Sequence, residues 1–230
     1  MQLNRLLVIS ARAGSKRIKN KNFKLFRGKP IIEYSIKIAL KSRLFDKIVV
    51  STDNLSKKKF LSKFDIQFSL RPKKISDDKS TIEDVLRYEK EKFKKKDITF
   101  NEIWNLAPCS PLISHKDLIA ASKLLLKNEN NIVLPISKYS APVKWAFKRN
   151  YKGLLKPIFK NNYKLRSQDL TQCYHDIGNF VGIPISFFKK KKIDFDKNYI
   201  GLIIPKIQAI DIDDIEDWKI AEALYEKKKT

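Results

Sequence analysis

The segment RLLVISARAGSKRIKNKN, residues 5–22, joins a run of apolar residues to a loop that is rich in Arg, Lys and small residues. An uninterrupted apolar run of this length is typical of a parallel strand that is buried on both faces. The loop places Arg12, Lys16 and Lys21 around a Gly-Ser pair, where backbone N–H groups can turn toward an anion. The segment therefore predicts a strand that leads into an anion-binding loop, and a triphosphate is its natural ligand.

Two familiar nucleotide-binding patterns are absent from this loop. It contains neither the P-loop pattern nor the glycine pattern of dinucleotide-binding proteins. A solvated basic loop is the alternative interpretation. That alternative gives no reason for Gly14 and Ser15 to follow the strand so closely, so the anion-binding loop is the preferred hypothesis.

Strand and helix patterns alternate over residues 1–136, which indicates an α/β fold with a doubly wound, mostly parallel sheet. The first helix is expected to begin near Pro30, and a later amphipathic helix is expected to open with a capping box formed by Ser80 and Glu83. Ligands bind such sheets beyond the carboxyl ends of the strands. Polar segments follow three of these ends, and they read ARAGSKR, STDN and APCSP.

The pattern changes over residues 137–175, where aromatic and β-branched residues are interrupted by Pro, Asn and Gly. This composition predicts a small β-rich insertion rather than another βα unit. Residues 1–230 are expected to form a single domain that contains this insertion, because the chain length suits one α/β unit.

A cluster of carboxylates precedes the last predicted helix, in the segment QAIDIDDIEDW. We expect a short strand here, whose alternation places Asp211 and Asp213 on one face and Ile212 in the core. Two adjacent carboxylates are costly unless a cation joins them, and Mg²⁺ is usually held by one or two carboxylates together with substrate phosphates. The alternative is a negatively charged first turn of the helix, which suits Glu216 and Asp217 better.

The chain carries 49 Lys and Arg against 25 Asp and Glu, a formal charge of +24 that attracts polyanions. Lys-rich runs are scattered along the chain, so most of this charge is interpreted as solvated surface, and a nucleic-acid-binding protein is only a remote alternative. Cys109 and Cys173 have no disulfide or zinc-site spacing, and no signal peptide or membrane-spanning stretch is visible. A cytoplasmic protein without membrane insertion is expected.

Several motifs, taken in order, resemble those of the cytidylyltransferases that activate nonulosonic, sialic-acid-like sugars as CMP-sugars. The motifs that carry this resemblance are ISARAGSKRIKNKN, GKPIIEYSI, VVSTDN, LRPKKISDDKST, APCSP, YHDIGNF and DIDDIEDWKIAEALY. Within that family, RSQDL and YHDIGNF are most similar to the branch that acts on pseudaminic acid. The resemblance implies a Rossmann-like nucleotidyltransferase fold, Mg²⁺ as cofactor, CTP and an acidic nine-carbon keto-sugar as substrates, and a homodimer formed through the insertion.

The resemblance also implies the roles of individual residues. The implied nucleotide-binding residues are Arg12, Ala13, Gly14, Ser15, Lys16, Lys21, Asn22, Arg71 and Ser80. Among them Asn22 is expected to contact the nucleoside, and Arg71 and Ser80 the cytosine and ribose. The implied catalytic residues are Arg12, Lys16, Lys21 and Asp213, and the implied Mg²⁺ ligands are Asp211 and Asp213.

The sugar side of the site is expected to use a cation or an amide for the sugar carboxylate. The candidate sugar-binding residues are Lys144, Arg166, His175, Asn179 and Phe180. Sialate enzymes usually carry Gln where this chain has Ala107, and the missing amide makes N-acetylneuraminate a less favoured substrate. Pseudaminic acid is therefore the expected sugar, and N-acetylneuraminate, legionaminate and 3-deoxy-manno-octulosonate are the alternatives.

Overall fold

The computed structural model describes residues 4–193 and 198–227. Its strands are β1 (Arg5–Ser10), β2 (Leu25–Phe26), β3 (Lys29–Pro30), β4 (Lys47–Thr52), β5 (Gln67–Leu70), β6 (Glu102–Leu106), β7 (Ile132–Lys138), β8 (Phe147–Arg149), β9 (Leu155–Pro157), β10 (Tyr174–Asp176), β11 (Phe180–Pro184) and β12 (Tyr199–Ile203). Its α-helices are α1 (Ile31–Ser42), α2 (Lys58–Leu61), α3 (Ile82–Lys94), α4 (His115–Leu126) and α5 (Ile215–Lys227).

One side of the sheet is formed by β5, β4, β1 and β6, in that order and all parallel, with β5 at the edge. Residues Leu6 to Ile9 of β1 are completely buried, as expected for a strand that is covered by helices on both faces. Two core clusters form on opposite faces of β1, one containing Leu7 and Ile9 and the other Leu6 and Val8. The predicted doubly wound, mostly parallel α/β fold is confirmed.

The far side of the sheet is mixed, which the strand patterns did not predict. Strand β11 runs antiparallel to both β6 and β7, β10 is antiparallel to β7, and β12 is parallel to β7. Gly182 is required in β11, because a Cβ atom there would lie 2.7 Å from ring atoms of Trp104. This close approach explains why the chain has glycine two residues after Phe180.

The predicted capping box of Ser80 and Glu83 is wrong by one residue. Helix α3 is capped by Thr81, whose hydroxyl accepts the N–H of Asp84 while the Asp84 carboxylate accepts the N–H of Thr81. Ser80 belongs instead to the preceding turn, where its N–H and hydroxyl both donate to Asp77.

The predicted short strand before the carboxylate cluster is also wrong. Residues 209–213 have no strand partner among the described residues, and they follow a single 3-10 turn at Lys206–Gln208. The segment is anchored by side-chain burial instead, since Ile212 packs with Phe26 and Trp218 in a third core cluster. Burial of Ile212 still leaves Asp211 and Asp213 on the surface of one cleft.

The segment 137–175 contains the two-stranded hairpin of β8 and β9, which pair in antiparallel register. Its first and last residues belong to the main sheet, because Tyr174 of β10 lies opposite Lys138 of β7. The outer termini of the predicted domain, residues 1–3 and 228–230, lie outside the described residues, as do residues 194–197. None of the described helices has the length and apolar character needed to cross a membrane.

Candidate active site

A cleft of about 530 Å³ lies beyond the carboxyl ends of β1, β5 and β6, where Ser10, Arg71 and Ala107 line its wall. This is the position at which ligands bind open α/β sheets. The cleft brings together residues that are far apart in the sequence. The sequence-predicted residues that line it are Arg12, Ser15, Lys16, Lys21, Asn22, Arg71, Ser80, Asn179, Asp211 and Asp213.

The other predicted residues do not line this cleft in the described chain, and they are Ala13, Gly14, Lys144, Arg166, His175 and Phe180. Arg166 is exposed and forms an ion pair of 3.4 Å with Asp169 in the insertion. The ring of His175 lies 4.9 Å from that of Tyr139. Phe180 is buried in the core, where it packs beside Trp104.

The peptide between Arg12 and Ala13 is held from both sides. The N–H of Ala13 donates to Asp53 Oδ1 at 2.8 Å, and Asn22 Nδ2 donates to the carbonyl of Arg12 at 2.9 Å. The two polar groups of one peptide therefore have partners from different elements. This pinning orients the basic loop, and it also means that the Ala13 N–H is occupied rather than available to an anion.

The Asn22 side chain is itself oriented by Cys109. Asn22 is 6% exposed, and its Oδ1 accepts a hydrogen bond from Cys109 Sγ at 3.4 Å. Burial raises the pKa of Cys109 to about 12, so the group remains a thiol that can donate. Hydrogen bonds at both ends of the amide fix the Asn22 side chain at the wall of the cleft, and its predicted contact with the nucleoside stays a prediction.

Four basic side chains of the loop, those of Arg12, Lys16, Arg17 and Lys21, face a carboxylate. Arg12 Nη1 lies 2.9 Å from Asp78 Oδ1, and Lys16 contacts the other oxygen of Asp78. Across the cleft, Asp213 is shared by Arg17 at 2.8 Å and Lys21 at 3.3 Å. Lys21 also donates to the carbonyl of Ile212 at 2.6 Å, and this bond joins the basic loop to the carboxylate segment.

Sequence reasoning missed four residues of this arrangement, namely Arg17, Asp53, Asp77 and Asp78. Asp53 lies in STDN, a strand-end segment that was recognised as polar, and Asp77 and Asp78 lie within the LRPKKISDDKST motif. The signal was therefore present in the motifs. What could not be read was which group each carboxylate meets, because the partners are distant in the sequence: Asp53 accepts an N–H 40 residues away, and Asp78 pairs with an arginine 66 residues away.

Asp211 differs from Asp213 in having no ion pair among the described residues. Its pKa is raised, chiefly by burial and next by the charge of Asp213. No cluster of three or more His, Cys, Asp or Glu suited to a metal occurs in the described chain. The two carboxylates can therefore hold Mg²⁺ only if the substrate and water supply the remaining oxygen ligands.

Arg71 and Asn179 each bury a polar atom that lacks a partner in the described chain. Arg71 is 5% exposed with an unpaired Nε, and Asn179 is 3% exposed with an unpaired Oδ1. Burial lowers the pKa of Arg71, but an arginine remains cationic at neutral pH. Unpaired buried polar atoms cost about 1–3 kcal/mol each. Because both residues line the cleft, a ligand that pairs with these atoms would recover that cost.

Comparison with known proteins identifies the family of this chain. The sequence model of the family described as cytidylyltransferase matches residues 6–229. Pseudaminic acid cytidylyltransferase from Campylobacter jejuni subsp. jejuni serotype O:2 is 30% identical over 224 residues, 97% of each chain. CMP-N,N'-diacetyllegionaminic acid synthase from Legionella pneumophila subsp. pneumophila is 29% identical, over 96% of each chain.

A solved structure shows that the fold is shared as well. The structure of CMP:2-keto-3-deoxy-manno-octonic acid synthetase complexed with CTP has a TM-score of 0.68 to this chain at 14% identity, and the match covers 98% of this chain and 99% of that one. At this identity the likeness concerns the fold alone. The family match over nearly the whole sequence carries the assignment: the chain belongs to the cytidylyltransferase family and is a nucleotidyltransferase.

Proposed function

We propose that this cytidylyltransferase converts CTP and pseudaminic acid into CMP-pseudaminic acid and pyrophosphate. The observation that carries the proposal is one cleft in which a basic loop, the buried Arg71 and the carboxylates Asp211 and Asp213 face one another. The choice of sugar is supported by the relative of matching length that bears this activity in its name. It is also supported by Ala107, which lines the cleft where sialate enzymes usually have Gln.

The reaction forms a bond between the anomeric oxygen of the sugar and the α-phosphorus of CTP. The bond from the α-phosphorus to the bridging oxygen breaks, pyrophosphate leaves with its electron pair, and the sugar hydroxyl loses its proton. Charge develops on the phosphate oxygens, so the chain contributes mainly positioning and electrostatic stabilisation. Arg12, Lys16 and Lys21 supply cations for this charge, and Ser15 is placed beside them.

The base is proposed to lie against Arg71, whose unpaired Nε offers a hydrogen bond from within the wall of the cleft. Ser80 lines the same region, where its hydroxyl donates to Asp77 at 2.6 Å. A hydrogen bond from a buried charged group contributes about 1.5–3 kcal/mol, which is enough to orient a nucleotide.

Asp211 and Asp213 would hold Mg²⁺, which supplies a Lewis acid for the α-phosphate. The fit rests on Asp211, a carboxylate that lines the cleft, has a raised pKa and has no cation partner in the described chain. Lys21 keeps this segment next to the basic loop through its bonds to Ile212 and Asp213.

The sugar pocket is proposed to be completed in a homodimer. The hairpin of the insertion exposes apolar side chains, with Tyr151, Leu154 and Leu155 at 90%, 66% and 60% exposure. A cluster of this kind is typical of an interaction surface. Lys144, Arg166 and His175 lie on the same insertion, outside the cleft of their own chain, and a partner subunit could bring them to its sugar site.

Dimerisation through the hairpin is expected to fail in Leu155→Arg. A charge buried at an interface costs more than about 1.4 kcal/mol, so the dissociation constant should rise at least about ten-fold in sedimentation velocity. Leu55→Arg is the matched control, because Leu55 is also 60% exposed but lies outside the insertion. Equal dissociation constants for both variants would contradict the proposed interface.

The reaction is tested by pyrophosphate release from CTP and Mg²⁺ with each of four sugars: pseudaminic acid, legionaminic acid, N-acetylneuraminate and 3-deoxy-manno-octulosonate. We expect the highest kcat/KM with pseudaminic acid and with CTP among the four common nucleotides. A higher value with another sugar would overturn the sugar assignment.

Both cysteines are free in the described chain, which accords with the cytoplasm as the proposed compartment.

A further inference from the structure

The carboxylate of Asp78 lies between two cations that are proposed to receive the triphosphate. Its Oδ1 is 2.9 Å from Arg12 Nη1, and its Oδ2 contacts Lys16 Nζ. Each oxygen of Asp78 therefore meets one cation, as two oxygens of a phosphate group would. The Lys16 ammonium holds the pKa of Asp78 below its ordinary value, so the carboxylate is ionised at neutral pH.

The local fold does not depend on the Asp78 side chain. The turn that precedes α3 is held by Asp77, whose carboxylate accepts the N–H groups of Lys79 and Ser80 and the hydroxyl of Ser80. In the described chain, the Asp78 carboxylate makes no hydrogen bond or ion pair other than those with Arg12 and Lys16. Its carboxylate is thus directed at the basic loop rather than used to build its own turn.

These ion pairs are suited to exchange. The side chains of Arg12, Lys16 and Asp78 are 39%, 77% and 49% exposed, and solvent-exposed pairs are individually weak. A triphosphate carries more charge than one carboxylate and can replace it on both cations. A singly or doubly charged anion gains much less from the same replacement.

We propose that Asp78 occupies the triphosphate position in the nucleotide-free cleft and is displaced from Arg12 and Lys16 when CTP binds. This inference rests on the proposed role of Arg12 and Lys16 in phosphate binding. Asp78 then sets the affinity of the cleft for anions, because every anionic ligand must compete with it.

The test is the binding of CTP and of inorganic pyrophosphate to Asp78→Asn, measured by calorimetry. Loss of the competing carboxylate should tighten both ligands about three- to ten-fold. Asp65→Asn is the matched control, because Asp65 is exposed, lines no part of the cleft and has no ion pair in the described chain. Weaker binding by Asp78→Asn would overturn the proposal, since it would show that Asp78 orients the two cations for the ligand.

A double-mutant cycle with Lys16→Met separates displacement from simple repulsion at a distance. Asp78→Asn increases the CTP affinity by some factor in the wild-type background. If Asp78 competes for Lys16, that factor should be at least two-fold smaller in the Lys16→Met background. An undiminished gain would overturn the proposal, because repulsion does not require the contact. Failure of the proposed function has a different signature, since wild-type protein would then release no pyrophosphate with any of the four sugars.

Discussion

Asp213→Asn is expected to lower kcat/KM for CTP by about a hundred- to a thousand-fold, the scale on which loss of one electrostatic group slows a reaction that builds up charge. Asp213 lies opposite the basic loop and forms ion pairs with Arg17 and Lys21. The substitution removes the charge proposed to bind Mg²⁺. The variant should therefore need a higher Mg²⁺ concentration than the wild type for half-maximal activity. Pyrophosphate release across a series of Mg²⁺ concentrations measures both effects.

The fold should survive this change, because Asp213 is partly exposed and both of its cationic partners can be solvated. Glu216→Gln provides the control, because it also removes one carboxylate charge. Glu216 lies three residues after Asp213, at an exposed position in the first turn of α5. Circular dichroism should be unchanged in both variants. Equal activity of Asp213→Asn and Glu216→Gln would exclude Asp213 from the proposed catalytic and metal-binding roles.

Arg71→Met is expected to weaken CTP binding by about ten- to a hundred-fold without lowering the melting temperature. The loss follows from removal of a hydrogen bond donated by a charged group, which contributes about 1.5–3 kcal/mol. Stability should be maintained because Arg71 is a buried guanidinium with an unpaired Nε, and an apolar side chain of similar length avoids that desolvation. Calorimetric titration with CTP and thermal unfolding measure the two quantities.

Arg5→Met is the matched control and should give the opposite result. Arg5 lies at the amino end of β1, away from the cleft, and its Nε donates to Glu102 at 2.9 Å. Its removal leaves the 5% exposed Glu102 without that cation, so the melting temperature should fall while CTP affinity stays constant. If Arg71→Met shows this same pattern, Arg71 is a structural residue and its assignment to the nucleotide is wrong.

The parts of the fold that were predictable are those specified by neighbouring residues. The apolar run of β1 and the helical spacing after Pro30 are local patterns, and the structure has both elements where they were expected. The start of α3 was missed by one residue because Ser80 and Thr81 are chemically similar N-caps. Thr81 is the N-cap because the N–H and hydroxyl of Ser80 already donate to Asp77.

The antiparallel strand β11 illustrates a different limit. Its residues Phe180–Pro184 pair with β6, about 80 positions earlier in the chain, and no local pattern indicates that partner. The strand prediction for residues 209–213 was wrong for the same reason, because a strand needs a pairing partner. Alternation of Asp and Ile predicts which side chains are buried, but not whether a neighbouring strand exists. Burial of Ile212 was correctly expected for this reason.

Four features follow from the amino-acid sequence alone: the α/β class, the basic loop after β1, the carboxylate pair near the C-terminus and the family to which these motifs belong. These features depend on residue type and short-range spacing, which a sequence displays directly. The pairing of polar groups is set by the assembled fold: Asp78 contacts Arg12 and Lys16, Asp53 accepts the Ala13 N–H, and Cys109 donates to Asn22. Such pairings depend on side-chain directions at the ends of several strands, which are set only when the sheet has assembled.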